Sequence, residues 1–224
     1  MVKRILLVAV LMAMIAAPRF SALAQERSGA VKREQVQAPD YKARDGSWSY
    51  RAVHSMLSGG YRSDLISGDF DIAMRNGSRT IVQVGGGNAL ASEDGYRLQA
   101  MLPVPIDRDV APYFDFPLWI GKQWTGSQLT RPDRKWRPVH SAVTGMETVT
   151  TAAGTFPAYR IERSALLSVR AINYYDTEVY FYSPETRSVV KYVYRRNMKD
   201  LVGDPIYGGQ ETIEIELRGF KAAE

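Results

Sequence analysis

The chain has 224 residues, no cysteine, and a formal net charge of +5 from 29 basic and 24 acidic residues. The lack of cysteine excludes disulfides, thiolate metal sites and cysteine nucleophiles. Three of the 29 basic residues lie within the first nineteen positions, which leaves 26 basic against 24 acidic residues in the remainder. That balance lacks the basic surface of a nucleic-acid-binding domain, so the sequence predicts no nucleic-acid partner.

The first 24 residues have the three parts of a bacterial secretion signal. Lys3 and Arg4 form a positive start, a thirteen-residue apolar run ends at Ala17, and Ala22 and Ala24 are the small residues that a signal peptidase recognises. The apolar run is too short to span a bilayer core of roughly 30 Å as a helix. The sequence therefore predicts a signal peptide over residues 1–24, a periplasmic or secreted location, and no transmembrane segment after the signal is removed.

Residues 25–46 are rich in charge and poor in large apolar side chains, which predicts a flexible lead-in. Beyond it, apolar and polar residues alternate between Gly, Pro, Asn and Asp turn signals, as is typical of strands. The pattern is clear before the Asn76-Gly77 hairpin signal, over residues 96–100, and at the end of the chain, where Ile213, Ile215 and Leu217 alternate with polar residues.

The best helical candidates, residues 89–94 and 197–202, span only one or two turns. Many short strands without helical crossovers predict an all-β fold over residues 47–220, as an antiparallel curved sheet, half-barrel or sandwich. Trp48 and Trp124, each close behind a glycine, are expected to be buried. A faint echo between residues 51–55 and 137–141 leaves two related β-units open as an alternative to a single β-rich domain.

A series of short motifs marks the second half of the chain. They are Gly-Lys-x-Trp at 121–124, Gly-x-Glu-x-Val at 145–149, Ala-Gly-Thr-Phe at 153–156, Tyr-x-Pro-Glu at 182–185 and Val-Lys at 190–191. The progression resembles a family of uncharacterised exported bacterial β-proteins over about residues 116–194. The resemblance implies an antiparallel curved sheet in the cell envelope, distantly like the half-barrels of lipoprotein carriers. It supplies no active site, because the motifs are structural.

The usual catalytic patterns are missing. The two histidines lack metal-ligand spacing, and no Gly-x-Ser-x-Gly nucleophile elbow occurs. Carboxylates two residues apart share one face of a strand and could serve glycoside hydrolysis, but solvent-facing strands show the same pattern. Those pairs are Asp69/Asp71, Asp176/Glu178 and Glu214/Glu216. The sequence therefore predicts a protein that is not an enzyme and that holds no cofactor and no metal.

The most unusual stretch is the predicted hairpin over residues 174–194, which carries large rings on both faces. Either it is covered on both sides, or one face lines a groove for a ligand, because a tyrosine ring offers apolar area and a polar tip. Cross-strand aromatic pairs that only stabilise the sheet would give the same pattern. The candidate ligand-binding residues are Tyr180, Tyr182, Tyr192 and Tyr194, with Trp136 from a preceding proline-rich loop.

Three functions are compatible with these observations. The first is a non-enzymatic exported binding or carrier module for an amphipathic envelope ligand such as a lipid, a lipopeptide or a glycan. The alternative is a structural or assembly factor that pairs with another cell-envelope protein, for example by adding a strand to an open sheet edge. The third is a hydrolase that acts on cell-wall glycan. Spacing along the chain does not separate them.

Overall fold

The regular structure consists almost entirely of β-strands. The computed structural model describes residues 34–40, 45–58, 61–76, 78–85, 98, 100–102, 113–130, 135–169, 172–200 and 205–222. The predicted signal peptide and most of the predicted lead-in lie outside these residues. The strands are β1 (Gly46–Ser58), β2 (Tyr61–Arg75), β3 (Ser78–Gly85), β4 (Gln123–Thr130), β5 (Lys135–Thr151), β6 (Gly154–Val169), β7 (Ile172–Ser183), β8 (Ser188–Asp200) and β9 (Pro205–Ala222).

The nine strands found among the described residues form one antiparallel sheet in the order β3-β2-β1-β9-β8-β7-β6-β5-β4. The sheet is curved and open, with β3 and β4 as its terminal strands. The predicted all-β, antiparallel curved-sheet fold is confirmed. Among the described residues, no helix is long and apolar enough to cross a membrane.

Tight turns link β2 to β3, β5 to β6 and β7 to β8. Asn76, with φ of 51°, lies in the turn between β2 and β3, where the sequence predicts a hairpin. Gly154 begins β6 with φ of 137°, a conformation that disfavours a side chain. Two series of hairpins result, β1–β3 and β4–β9, and the pairing of β1 with β9 joins them into one sheet.

One face of the sheet, here called the inner face, carries the hydrophobic core. Alternate residues of each central strand point to it, as the period of two requires. Its fully buried side chains include Tyr50, Ile72, Val143, Ile161, Tyr180, Tyr192 and Ile215. Residues outside the strands cover this face, among them the buried Leu98, Met101, Leu102 and Leu118.

Backbone hydrogen bonds fix this cover to its neighbours. Val36 forms an isolated antiparallel bridge with Leu118, with N···O distances of 2.8 and 2.9 Å. The amide of Val189 in β8 donates to the carbonyl of Met101 at 2.8 Å. Part of the predicted lead-in is therefore paired with the segment that covers the core.

Two local predictions are wrong. Leu98 is helical and Ala100 lies in a turn, and neither belongs to a strand; the amide of Met101 donates to the carbonyl of Leu98 at 3.2 Å. Their apolar character reflects burial within the cover, since Leu98 and residues 100–102 are all buried. Residues 197–200 of the second helical candidate belong to β8, because cross-strand pairing overrides weak local preference. The other candidate, residues 89–94, lies outside the described residues.

Candidate functional site

The four predicted tyrosines lie together on the inner face of the β7–β8 hairpin. Tyr180 and Tyr192 are direct cross-strand partners with ring centroids 4.8 Å apart. Tyr182 and Tyr194 flank them, and none of the four exceeds 1% exposure. The outer face of the hairpin carries Tyr175, which is 37% exposed. Rings therefore occur on both faces, as predicted, and those on the inner face are part of the core.

Three aromatic residues of a short segment pack directly over these tyrosines. This covering segment, residues 113–120, precedes β4. The ring of Phe114 lies 5.5 Å from that of Tyr180 and 5.8 Å from that of Tyr182. Phe116 packs edge-on against Tyr182 at 5.6 Å, and Tyr113 lies 6.1 Å from Tyr180. The chain's own rings therefore occupy the surface formed by the predicted site residues.

The Gly-Lys-x-Trp motif holds the covering segment in place. Lys122 is 7% exposed, and its ammonium group forms an ion pair with Asp115 at 2.9 Å. The same group donates to the carbonyl of Pro117 at 3.0 Å and to that of Asp115. Gly121 takes φ of 89°, which turns the chain from the covering segment into β4. The motif is therefore structural, as the sequence analysis expects.

Beyond the rings, the inner face carries a buried ion pair. Arg163 of β6 and Glu178 of β7 are direct cross-strand partners, with side chains 2% and 8% exposed. The Arg163 guanidinium contacts the Glu178 carboxylate and stacks over the ring of Tyr113, 4.4 Å from its centroid. The hydroxyls of Tyr180 and Tyr192 donate to the same carboxylate at 2.9 and 3.4 Å. Three strands and the covering segment thus meet at this carboxylate.

The protonation states follow from burial and from this neighbouring charge. Burial, followed by the Glu178 carboxylate, raises the pKa of Tyr180 well above its usual value, so its hydroxyl stays protonated and remains a donor. Burial alone would lower the pKa of Arg163, but the Glu178 carboxylate beside it raises that pKa above its usual value. The guanidinium therefore keeps its charge inside the protein.

A second group of charges continues the polar part of the inner face. Arg196 of β8 binds Asp176 of β7 through two hydrogen bonds of 2.8 and 2.9 Å. It also lies 3.5 Å from Glu211 of β9, whose carboxylate approaches His54 of β1 within 3.0 Å. These charges and the buried pair form a band across β6, β7, β8, β9 and β1, here called the polar band. The inner face therefore changes along β7 from aromatic to charged.

Four of the six carboxylates in the predicted pairs lie beside a cationic side chain. The pair Asp176/Glu178 is divided between two arginines, and Asp69 and Glu216 lie 3.6 and 2.6 Å from Arg51 and Lys191. A general acid or base must instead exchange a proton with a substrate. No group of three potential metal ligands occurs in the described part of the chain.

Sequence reasoning missed Arg163 and placed Trp136 in the wrong element. Trp136 belongs to β5 opposite Leu129 of β4, and not to a loop. Arg163 could have been found, because it follows Ile161 by two residues and shares its face, as Glu178 does with Tyr180. The missing information was the register that sets the two charges opposite each other. Of the two tryptophans expected to be buried, Trp48 is 1% exposed and Trp124 only half-buried.

Comparisons with known proteins give only weak similarity. No protein-family model matches the sequence, and no curated protein matches it. A candidate lipoprotein from Parabacteroides distasonis ATCC 8503 has 11% identity and a TM-score of 0.32, with 84% of this chain and 100% of that chain covered. A candidate exported protein with a YmcC-like fold from Bacteroides fragilis NCTC 9343 has 11% identity, the same coverage and a TM-score of 0.29. Similarity this low carries no argument about family or function, so the family resemblance and the exported location stay predictions.

Proposed function

We propose that this chain is an exported, non-enzymatic binding or carrier module for an amphipathic envelope ligand such as a lipid, a lipopeptide or a glycan. The observation that supports it most is the change along the inner face of β7 from Tyr182 and Tyr180 to Glu178 and Asp176. Binding sites for such ligands combine apolar and aromatic lining with a few placed polar groups. The aromatic end would take the apolar part of the ligand and the polar band its polar group.

The ligand-binding residues in this proposal are Tyr180, Tyr182, Tyr192 and Tyr194, with Trp136 as an outer contributor. In this structure the covering segment occupies the aromatic surface, so a ligand has to displace the rings of Phe114 and Phe116. Binding is then an exchange of one set of apolar contacts for another. Because apolar contacts dominate it, the affinity depends weakly on salt.

The first test is native mass spectrometry of the protein isolated from its own host without detergent. A reproducible co-purifying mass supports the proposal and gives the class of the ligand. The second test titrates a fluorescent fatty-acid analogue into the wild type, into Phe114→Ala and into the matched control Tyr175→Ala on the outer face. Each ring pair that Phe114 loses is worth ~0.5–1.5 kcal/mol, so Phe114→Ala should bind the probe roughly tenfold more tightly.

The control separates displacement of the covering segment from a general effect of removing a ring. Tyr175→Ala removes a partly exposed ring from the outer face of β7, the strand whose inner face Phe114 covers. This variant should leave probe binding unchanged. The proposal fails if the wild type carries no ligand and Phe114→Ala binds no more probe than Tyr175→Ala. In that case the assembly-factor alternative, which the open sheet edges favour, becomes the better explanation.

A further inference from the structure

One terminal strand of the sheet, β3, carries a charge only at Arg79 and a bulge only near its C-terminal end. β3 pairs with β2 on one side, and no described strand pairs with it on the other. Natural edge strands usually carry charges, prolines or bulges that prevent another chain from pairing with them. Residues 80–85 of β3, Thr-Ile-Val-Gln-Val-Gly, contain no charge and no proline. The pairing of β3 with β2 is regular from Ser78 to Gln83 and shifts by one residue before Gly85, which places the bulge at Val84.

The solvent-exposed positions on the outer face of β3 are Ser78 and the β-branched residues Thr80, Val82 and Val84. Val82 is 52% exposed and Val84 is 62% exposed, and Thr80 is exposed beside them. These residues alternate along the strand and therefore form one row on one face. β-branched side chains stabilise a sheet when they face similar residues on a neighbouring strand. The row is thus suited to a further strand beside it.

We propose that this edge binds a second copy of the chain, with β3 pairing antiparallel to β3 of the other copy about a two-fold axis at Val82. In that register Val82 faces Val82, and Thr80 faces Val84 in both directions. Arg79 then faces Gly85, so the two arginines stay apart. An antiparallel pair about a two-fold axis is isologous, because both copies use the same strand. The two sheets therefore join into one open sheet of eighteen strands, and the β3 contact cannot add a third copy.

Self-complementarity favours a second copy over an unrelated peptide. When a second β3 runs antiparallel about Val82, each residue of the row Thr80-Val82-Val84 faces another β-branched residue. No two like charges face each other in this register. The other terminal strand, β4, has glycine, serine or glutamine at half of its positions, and these are weaker strand formers. A single strand pair buries little surface, so the dimer belongs to the small, weak class with total buried area below about 1,200 Å².

The test is sedimentation equilibrium of the purified protein over a range of concentrations, with charge variants at the axis. Val82→Lys places two ammonium groups opposite each other, and Val82→Glu places two carboxylates opposite each other. Each variant alone should raise the dimer dissociation constant at least about tenfold. An equimolar mixture of the two should restore dimers, because the heterodimer places opposite charges across the axis.

Leu166→Lys is the matched control, since Leu166 is 53% exposed in β6, which has neighbouring strands on both sides. It should dimerise like the wild type, and circular dichroism should show all variants folded. A wild type that stays monomeric at every concentration overturns the proposal. The proposal is also overturned if the wild type dimerises but a mixture of Val82→Lys and Val82→Glu does not, because the interface then lies elsewhere. This outcome is independent of ligand binding, which uses the inner face.

Discussion

Removing either partner of the buried ion pair should destabilise the protein far more than removing both. Arg163→Met leaves the Glu178 carboxylate without its cation, although the hydroxyls of Tyr180 and Tyr192 still donate to it. Glu178→Leu leaves a guanidinium that is 2% exposed without its anion. Breaking a buried pair in this way costs about 3–5 kcal/mol, because the remaining charge stays desolvated.

The double variant Arg163→Met/Glu178→Leu places two apolar side chains of similar size where the charges were. The penalty left is that of the two tyrosine hydroxyls, which lose this acceptor at about 1–3 kcal/mol each, or about 4 kcal/mol for both. Simple addition of the single losses would give about 6–10 kcal/mol. The free energy of unfolding should therefore show a coupling of about 4 kcal/mol between Arg163 and Glu178.

Urea denaturation followed by tryptophan fluorescence measures all four members of this cycle. The exposed pair of Lys191 and Glu216, with side chains 30% and 39% exposed and 2.6 Å apart, is the control cycle. Its coupling should be below about 1 kcal/mol, because solvent screens the pair. If the Arg163–Glu178 coupling is no larger than that of the control, the pair is hydrated in solution and is not a buried ion pair.

Three further predictions concern the core and its cover. Burial raises the pKa of Tyr50, Tyr180 and Tyr182, so above about pH 10 the unfolded chain loses these protons first. Stability should hold below that pH and fall above it by up to ~1.4 kcal/mol per pH unit for each of these tyrosines. The part of the tyrosinate absorbance that comes from these three buried residues should rise only as the circular dichroism is lost. Trp48→Ala should cost ~3–5 kcal/mol in urea denaturation, whereas Trp48→Phe, which mainly loses the 2.8 Å hydrogen bond to the Thr186 carbonyl, should cost less than half of that. Lys122→Met should raise hydrogen exchange in residues 113–120 above that in the strands, and equal protection in the variant and the wild type would contradict its anchoring role.

The sequence predicts best the features that depend on neighbouring residues. Alternation identifies the inner face of β9, and Asn76 marks the turn between β2 and β3. Both are local consequences of strand geometry. The same reasoning recognises the rings of the β7–β8 hairpin as unusual. Alternation fails around Ala100, where apolar residues are buried within the cover and do not belong to a strand.

The buried pair and the covering segment depend on contacts between distant residues. Arg163 and Glu178 meet only because β6 and β7 pair in one register, and a shift of one residue would place the guanidinium on the other face. Residues 113–120 have no periodicity that would assign them to the core, and their position depends on the ammonium group of Lys122. Neither feature has a signature within a short window of sequence.

The pairing of β1 with β9 has a consequence for the order of folding. Leu57 pairs with Gln210, 153 positions later, whereas β5 and β6 meet through a turn of two residues between Thr151 and Gly154. Closing the long loop costs about 3 kcal/mol more in chain entropy than closing the short one. Local hairpins can therefore form as the chain is synthesised, but the contact between the two series has to wait for the C-terminal strand. A chain that ends before Pro205 retains β1–β8 but lacks β9, the strand that joins the two series, so the N-terminal hairpins are left without a partner.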